Sequence, residues 1–309
     1  MLFCDAVRAA PRKVRVTRVL APIGPGKGLE FTILMEARRV LRELRRIVNE
    51  SLIPEAKAAR AELKAGAPSP VGDSIGEWAR RAWRRISEFL FGAAEKMVRQ
   101  ALSVDEARHQ KSFVQAVNKA IGVDLAAVVT SQDVAPNIEL AMQRSVGLIR
   151  NLTDEVAAQI EKALFQAITE GWSTARMAEM LTERFGIADR RARFIARDQA
   201  ATFNGELNRI RMQQAGVTEY VWSTSLDERV RGNPVGKYAS AKPSHWAREG
   251  QVFSWTKPPE GGHPGMGINC RCVARAVLGD PRPMQEQARA RQKAALERMT
   301  KAKAAKARK

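Results

Sequence analysis

The sequence predicts an α+β protein: a mainly helical N-terminal half, then a domain of helices with a small sheet, then a basic helical tail. Three observations carry this. Through much of residues 33–214, apolar side chains recur at three- and four-residue steps, the period of an amphipathic helix. After Gly216 the pattern changes to short alternating runs, the period of strands. Residues 222–272 hold two of the three histidines, two of the three cysteines and three of the six tryptophans, among dense Gly and Pro.

The composition bounds the classes. A chain of 309 residues suits about two domains and is long enough to bury a core. The formal net charge of +19 points to a polyanionic partner or a strongly acidic protein surface. No window has the apolar length of a membrane span, and the apolar start of MLFCDAVRAAPRKVRV is too short for a signal peptide. Three cysteines, two of them one residue apart, do not make a disulfide framework, so a reducing compartment, the cytoplasm, is expected.

Residues 1–30 mix Pro and Gly with Arg8, Arg12, Lys13, Arg15 and Arg18, and read as a basic arm or linker. Residues 31–135 read as a helical domain. Its first helix, about 33–64, carries the stripe Leu34, Ala37, Leu41, Leu44 and Val48, and Pro54 should break or kink it. GAPSPVG at 66–72 is a loop, and Asp73 or Ser74 caps a second helix with Trp78, Trp83, Ile86, Phe89 and Leu90 as its bulk. The run Arg80-Arg81-Ala82-Trp83-Arg84-Arg85 can be a phosphate grip with stacking on Trp83, or a solvated Arg face over a buried Trp, which is the more common case. A further helix is expected near 111–121 and a boundary at 132–136; His109 reads as a surface residue.

Residues 136–279 read as the second domain. Residues 138–171 carry two helices, with Thr153 or Asp154 as N-cap of the second, Val156, Ile160 and Leu164 as its stripe, and Gly171 as its stop. Ser173 or Thr174 starts a short helix ending at Gly186; Asp189 starts another, with Ile195, Phe203, Leu207 and Ile210 buried, running to about Gln214. Arg190, Arg191, Arg193 and Arg197 then crowd the positive end of that helix dipole, which invites an anion. Strands follow at 218–223, 251–255 and 270–277, the last with Cys270, Cys272, Ala274 and Ala276 on one face. Residues 280–309 set ten basic residues against Asp280, Glu286 and Glu297, giving +7 in thirty residues. They are expected to be helical when bound and loose when free, a polyanion-binding tail using Arg289, Arg291, Lys293, Lys301, Lys303 and Lys306.

Three constellations can carry chemistry. His245, His263, Cys270 and Cys272 form a two-nitrogen, two-sulfur set common for tetrahedral zinc, with Asp227 as a substitute ligand. The same residues can instead form a metal-free knot of thiols and hydrogen-bonded imidazoles. Asp227, with Arg229 and Arg231 beside it and Arg197 and Asp198 on the long helix, can form an ion-pair framework that clamps the loop. His245 and His263 can also serve as base and acid of a metal-independent nuclease, with Arg229 or Arg231 stabilising a phosphorane-like charge. The ion-pair framework is the preferred use of those charges, and a non-enzymatic protein is expected.

Residues 138–278 resemble the phage head morphogenesis family, the minor head proteins like protein F of phage Mu. The resemblance rests on motifs in order: Ile195-Ala196-Arg197-Asp198-Gln199 followed by Asn204; Gly216 and Tyr220-Val221-Trp222; Ser223 or Ser225, then Asp227, Arg229, Val230 and Arg231. His245, Gly250 and Phe253, Pro258-Pro259, Gly262-His263-Pro264-Gly265 and Asn269-Cys270-Arg271-Cys272 complete it. It implies a minor capsid protein of a tailed phage or phage-derived particle. Such a protein stands near the portal inside the procapsid, in the host cytoplasm during assembly. Its partners would be the portal protein, the major capsid or scaffolding protein, and packaged double-stranded DNA bound non-specifically, with no membrane. A nuclease or toxin, or a DNA-binding accessory factor without portal contact, are the rival readings.

Overall fold

The structure, a computed structural model, describes residues 20, 22–65, 74–122, 124–126, 129–130, 132–277 and 280–307. The basic arm from Arg8 to Arg18, the 66–72 loop and Asp73 lie outside the described residues. The helices are α1 (Lys27–Ile47), α2 (Ile53–Lys64), α3 (Ser74–Ile121), α4 (Ala135–Thr169), α5 (Thr174–Gln214) and α6 (Arg282–Ala307). The strands are β1 (Glu219–Ser223), β2 (Val252–Ser254) and β3 (Val273–Ala276). The α+β expectation holds, with helix dominant and one small antiparallel sheet. Among the described residues, no helix is long and apolar enough to cross a membrane.

Fewer, longer helices replace several shorter ones. The expected helix at 111–121 is the end of α3, which runs 48 residues. The expected break at Thr153 is absent. Its hydroxyl bonds back to the carbonyls of Ile149 and Arg150, so a residue that caps helices elsewhere is satisfied inside one. The expected stop at Gly186 is likewise absent, and α5 is one helix of 41 residues. The arginines from Arg190 to Arg197 therefore do not sit at a helix N-terminus. Arg193 pairs with Asp189 and Arg191 with Glu155.

Glycine ends helices where the backbone turns left-handed. Gly171 has φ +69° and Gly216 φ +74°. After α5, Gly216 N–H bonds Gln213 O and Val217 N–H bonds Met212 O, a closed cap that turns the chain into β1. Pro54 acts as expected but gently. A five-residue π turn, Val48–Leu52, precedes it, and Ile53 N–H reaches back to Val48 O.

The chain forms two compact units built from non-contiguous segments. One comprises Lys27–Ser103 and Ile138–Gln199, and is helical. Its α1 stripe is Ile33, Ala37, Val40, Leu41 and Leu44, continued by Val48 in the π turn, with Leu34 at the margin. Trp83 is buried with its indole N–H on Asp154, whereas Phe89 is exposed instead of supplying core. Asp189 is clamped by Arg38 at 2.6 Å.

The other unit comprises Met1–Gly26, Val104–Asn137 and Ala200–Lys309 and contains the sheet. The strand order is β2-β1-β3, both pairs antiparallel, with Tyr220 opposite Phe253 and Ala276, and Trp222 opposite Ala274. This sheet face packs on Phe113, Val117, Ala120, Leu125, Val129 and Met212. Helix α6 covers part of the unit: Ala288 lies against Gly250, and Ala295 packs with Val230 and Trp246. The tail is helical from Arg282 to Ala307, with Met284, Ala288 and Ala295 buried.

His109 is not a surface residue; it is fully buried in this unit. Its Nε2 bonds Asn208 Oδ1 at 3.2 Å, while Asn208 Nδ2 and Asn204 Nδ2 both donate to Ile23 O. Because Asn208 gives its amide hydrogens to Ile23, its oxygen must accept, and the imidazole is held neutral with the proton on Nε2. Burial pushes the His109 pKa down to about 3. The unfolded chain takes up this proton near pH 6.5 and the folded chain does not, so the stabilising contribution is present above about pH 6.5. It falls by up to ~1.4 kcal/mol per pH unit below that, towards pH 3. Thermal melting of wild type and His109→Gln at pH 7 and pH 5 should show a smaller acid-induced drop in Tm for the variant. An equal drop would remove His109 as the cause.

Candidate functional site

The site grows out of the way β1 presents its side chains. Tyr220 and Trp222 project from the same face of the central strand and are fully buried. Around Trp222 gather the His245 ring (5.2 Å, 73°), the Phe253 ring (5.7 Å, 69°) and the Arg248 guanidinium (5.0 Å). Around Tyr220 gather Trp255 at 4.3 Å and His263 at 5.6 Å between ring centroids.

Three of the four sequence-predicted ligands meet. His245 Nδ1 is 3.6 Å from Cys270 Sγ and 3.5 Å from Cys272 Sγ, and all three residues are buried. The cysteines, one residue apart just before β3, share a face with Ala274 and Ala276, as the alternation predicts. The last member, His263, points elsewhere: its Nδ1 is 2.9 Å from Tyr220 Oη, and it stacks on Trp255 at 4.9 Å. Burial pushes the His263 pKa down and the Tyr220 pKa up.

The two thiols share their hydrogen unequally. The Cys272 bond to Cys270 lowers the Cys270 pKa and raises that of Cys272. The Gly265 N–H also favours thiolate on Cys270, and the Trp222 indole does so on Cys272. The loop supplying Gly265 is wedged against α5. A Cβ on Gly205 would stand 2.9 Å from Pro264 O, and one on Gly265 would stand 3.0 Å from Gly205 Cα. Only hydrogen at both positions allows this approach.

Asp227 does form a clamp, with a partner that nearness in sequence does not suggest. Arg271 grips both carboxylate oxygens, at 2.5 and 2.6 Å. Arg229 contributes its backbone N–H at 2.9 Å, and Arg231 turns instead to Ile268 O at 3.2 Å. Arg197 and Asp198 belong to the other unit, where Asp198 accepts from Gln199. The pairing with Arg271 follows from alternation: with Cys270 and Cys272 facing in, Arg271 between them must face out, on the side where Asp227 waits.

Two more residues went unnoticed in the sequence. Buried Asn233 donates to Asp227 O and accepts from Val235 N–H, tying the 226–238 loop together. Buried Glu249 accepts the Thr224 N–H at 2.6 Å, its second oxygen has no hydrogen-bond partner among the described residues, and burial raises its pKa. Both lie in stretches without periodicity, so no sequence pattern separates them from solvent-facing polar residues. All six tail residues singled out, Arg289, Arg291, Lys293, Lys301, Lys303 and Lys306, are solvent-exposed on α6.

These features define an all-side-chain knot on a small sheet, closed by irregular loops against a long helix. Residues 158–275 match the model of the family described as Phage Mu protein F like protein. That match covers the stretch in which most of the motifs lie and supports the resemblance to the phage head morphogenesis proteins. The chain is also 29% identical over 187 residues to an uncharacterized protein of Haemophilus influenzae, covering 60% of this chain and 39% of that one. The matched stretch thus spans about two fifths of that relative's length. No solved structure matches the chain.

Burial pushes the Asp227 carboxyl up, but the Arg271 bonds and the Arg229 N–H outweigh it, so its pKa is lowered. Its contribution is therefore present above the unfolded value near pH 4 and is lost as pH falls through the lower folded value. Asp227→Ala should cost ~1 kcal/mol at pH 7, reduced by the solvent that reaches a side chain 39% exposed. Chemical denaturation at pH 7 and pH 3 checks this: the gap between wild type and variant should shrink in acid.

Proposed function

We propose that the protein is a minor capsid protein acting in head morphogenesis of a tailed phage or prophage-derived particle. The observation that carries this is the family match over residues 158–275, which spans the sheet and its loops. In this reading it works within the procapsid beside the portal protein and meets the major capsid or scaffolding protein. It is in the host cytoplasm during assembly and in the capsid interior afterwards.

The role is one of assembly rather than catalysis. His245 is buried against Trp222 and two thiols, and His263 is engaged by Tyr220 and Trp255. Neither arrangement presents an acid and a base to a phosphodiester in solvent, which counts against the nuclease reading. Contact with packaged DNA is supported by the charge on α6. A groove of about 530 Å³ between α6 and residues 225–226 is lined by Arg291, Arg298 and Lys301, with Glu297. Beyond it, residues 301–307 are wholly exposed.

Co-purification with the cognate portal from assembling procapsids tests the reading. Recovery with portal is expected, and recovery with neither portal nor procapsid would overturn it. Nucleic-acid cleavage lost in His245→Ala would instead favour the nuclease. DNA contact has its own measurement. Because the start of α6 is part of the folded unit, its far end should be neutralised rather than deleted. Lys301, Lys303 and Lys306 changed together to Gln should flatten the slope of log K against log salt by about 0.9 for each phosphate no longer neutralised. An unchanged slope removes this end of α6 from DNA binding.

A further inference from the structure

We propose that His245, Cys270 and Cys272 hold one soft divalent metal ion, zinc, which fastens the loops of the sheet domain. The inference goes beyond the head-assembly reading and does not depend on it.

The geometry is that of a ligand set. The three donor atoms all lie within 4.8 Å of one another. Zinc bonds of about 2.3 Å to sulfur and about 2.05 Å to nitrogen, at a tetrahedral angle, place sulfur and nitrogen about 3.5 Å apart. The two observed separations are 3.6 and 3.5 Å. Nearly equal distances from one Nδ1 to two sulfurs suit a shared central atom. A neutral imidazole nitrogen has a single lone pair or a single hydrogen there, and so satisfies one thiol well and not two.

The surroundings favour anionic sulfur. The buried Trp222 indole N–H has no hydrogen-bond partner among the described residues, and its ring stands edge-on to His245 beside the thiols. Such N–H donors orient and stabilise metal-bound thiolates. A cation between two buried sulfurs offsets the desolvation that their charged forms otherwise carry. Soft sulfur with imidazole selects zinc over magnesium or calcium, which take oxygen ligands.

Burial assigns the role. At 5–7% exposure the three residues admit no substrate, so the ion's role is to hold the fold. The bond set joins the end of one irregular segment, at His245, to the end of the next, at Cys270 and Cys272. His263 stands outside the set.

The test uses the full chain purified under reducing conditions. Elemental analysis should find one zinc per chain, and cobalt exchange should give a sulfur-to-cobalt charge-transfer band. Cys272→Ser should lose both signals, and His263→Ala should keep both. A chelator should lower Tm in wild type. If Cys272→Ser does not fold, the wild-type cobalt spectrum decides by itself, since the band requires thiolate bound to metal. Metal-free protein that gives no cobalt band after reconstitution overturns the proposal. So does retention of stoichiometric metal by Cys272→Ser, and loss of metal from a folded His263→Ala overturns the ligand assignment.

Discussion

The sheet-bearing unit depends on one constraint: β1 is buried on both faces and paired along both edges. Tyr220, Val221 and Trp222 are each exposed by 1% or less, although consecutive side chains of a strand point in opposite directions. Both faces must therefore be covered. Tyr220 and Trp222 face the helical segments carrying Phe113, Val117 and Met212. On the side of Val221 and its partner Arg275, α6 approaches closely enough for Arg291 to lower the Arg275 pKa further after burial. A strand so enclosed cannot slip register, because a one-residue shift would exchange the two sets of side chains.

That enclosure sets the task of the loops. Three short strands leave long connections, 224–251 and 255–272, with no ladder to join. Their backbone groups find side chains and turns instead. Asn233 and Asp227 knit the first loop, Glu249 fixes its return to β1, and Arg248 reaches Glu260 O in the second at 2.6 Å. The Cys/His knot and the Asp227–Arg271 clamp stand on opposite sides of the segment Cys270–Cys272 that leads into β3. Each therefore holds that segment from a different face. Loss of either loosens the same connection, so their effects on stability should not be additive.

Sequence periodicity and turn chemistry carried the strands, the helix stops at Gly171 and Gly216 and the inward face of the cysteines, because each follows from a local rule; the stop expected at Gly186 is overridden by the helix running through it. What it misplaced depended on partners distant in sequence. Thr153 carries the signature of a cap, and only its buried position inside α4 makes it bond backwards. His109 sits between Arg108 and Gln110 and looks solvent-facing, yet Asn208, 99 residues away, supplies its partner. Asp227 has arginines two and four residues ahead, but the one that grips it is 44 residues away. His263 shares a residue type with His245 and not a destination, since the aromatic face of Tyr220 and Trp255 takes it first. Residue types define what a site can do; the topology decides which members meet.

The same distinction applies to charge. A net +19 describes the whole chain, but much of the arginine is spoken for inside it. Arg38, Arg99, Arg191, Arg193, Arg211 and Arg271 are each matched to a carboxylate. Arg211 is fully buried with Glu106, where it serves the fold and offers nothing to a partner. Apart from Arg38 and Arg193, which share Asp189, each such pair cancels its charge and adds little long-range field. Lys301, Lys303 and Lys306 differ: they are exposed, close in sequence, and form no ion pair among the described residues. Lys303 and Lys306, three residues apart, lie on one side of the helix, so their fields reinforce one another. Among the described residues, Lys301, Lys303 and Lys306 thus put unpaired positive charge on the last turns of α6, whose earlier turns pack on the sheet unit through Ala288 and Ala295.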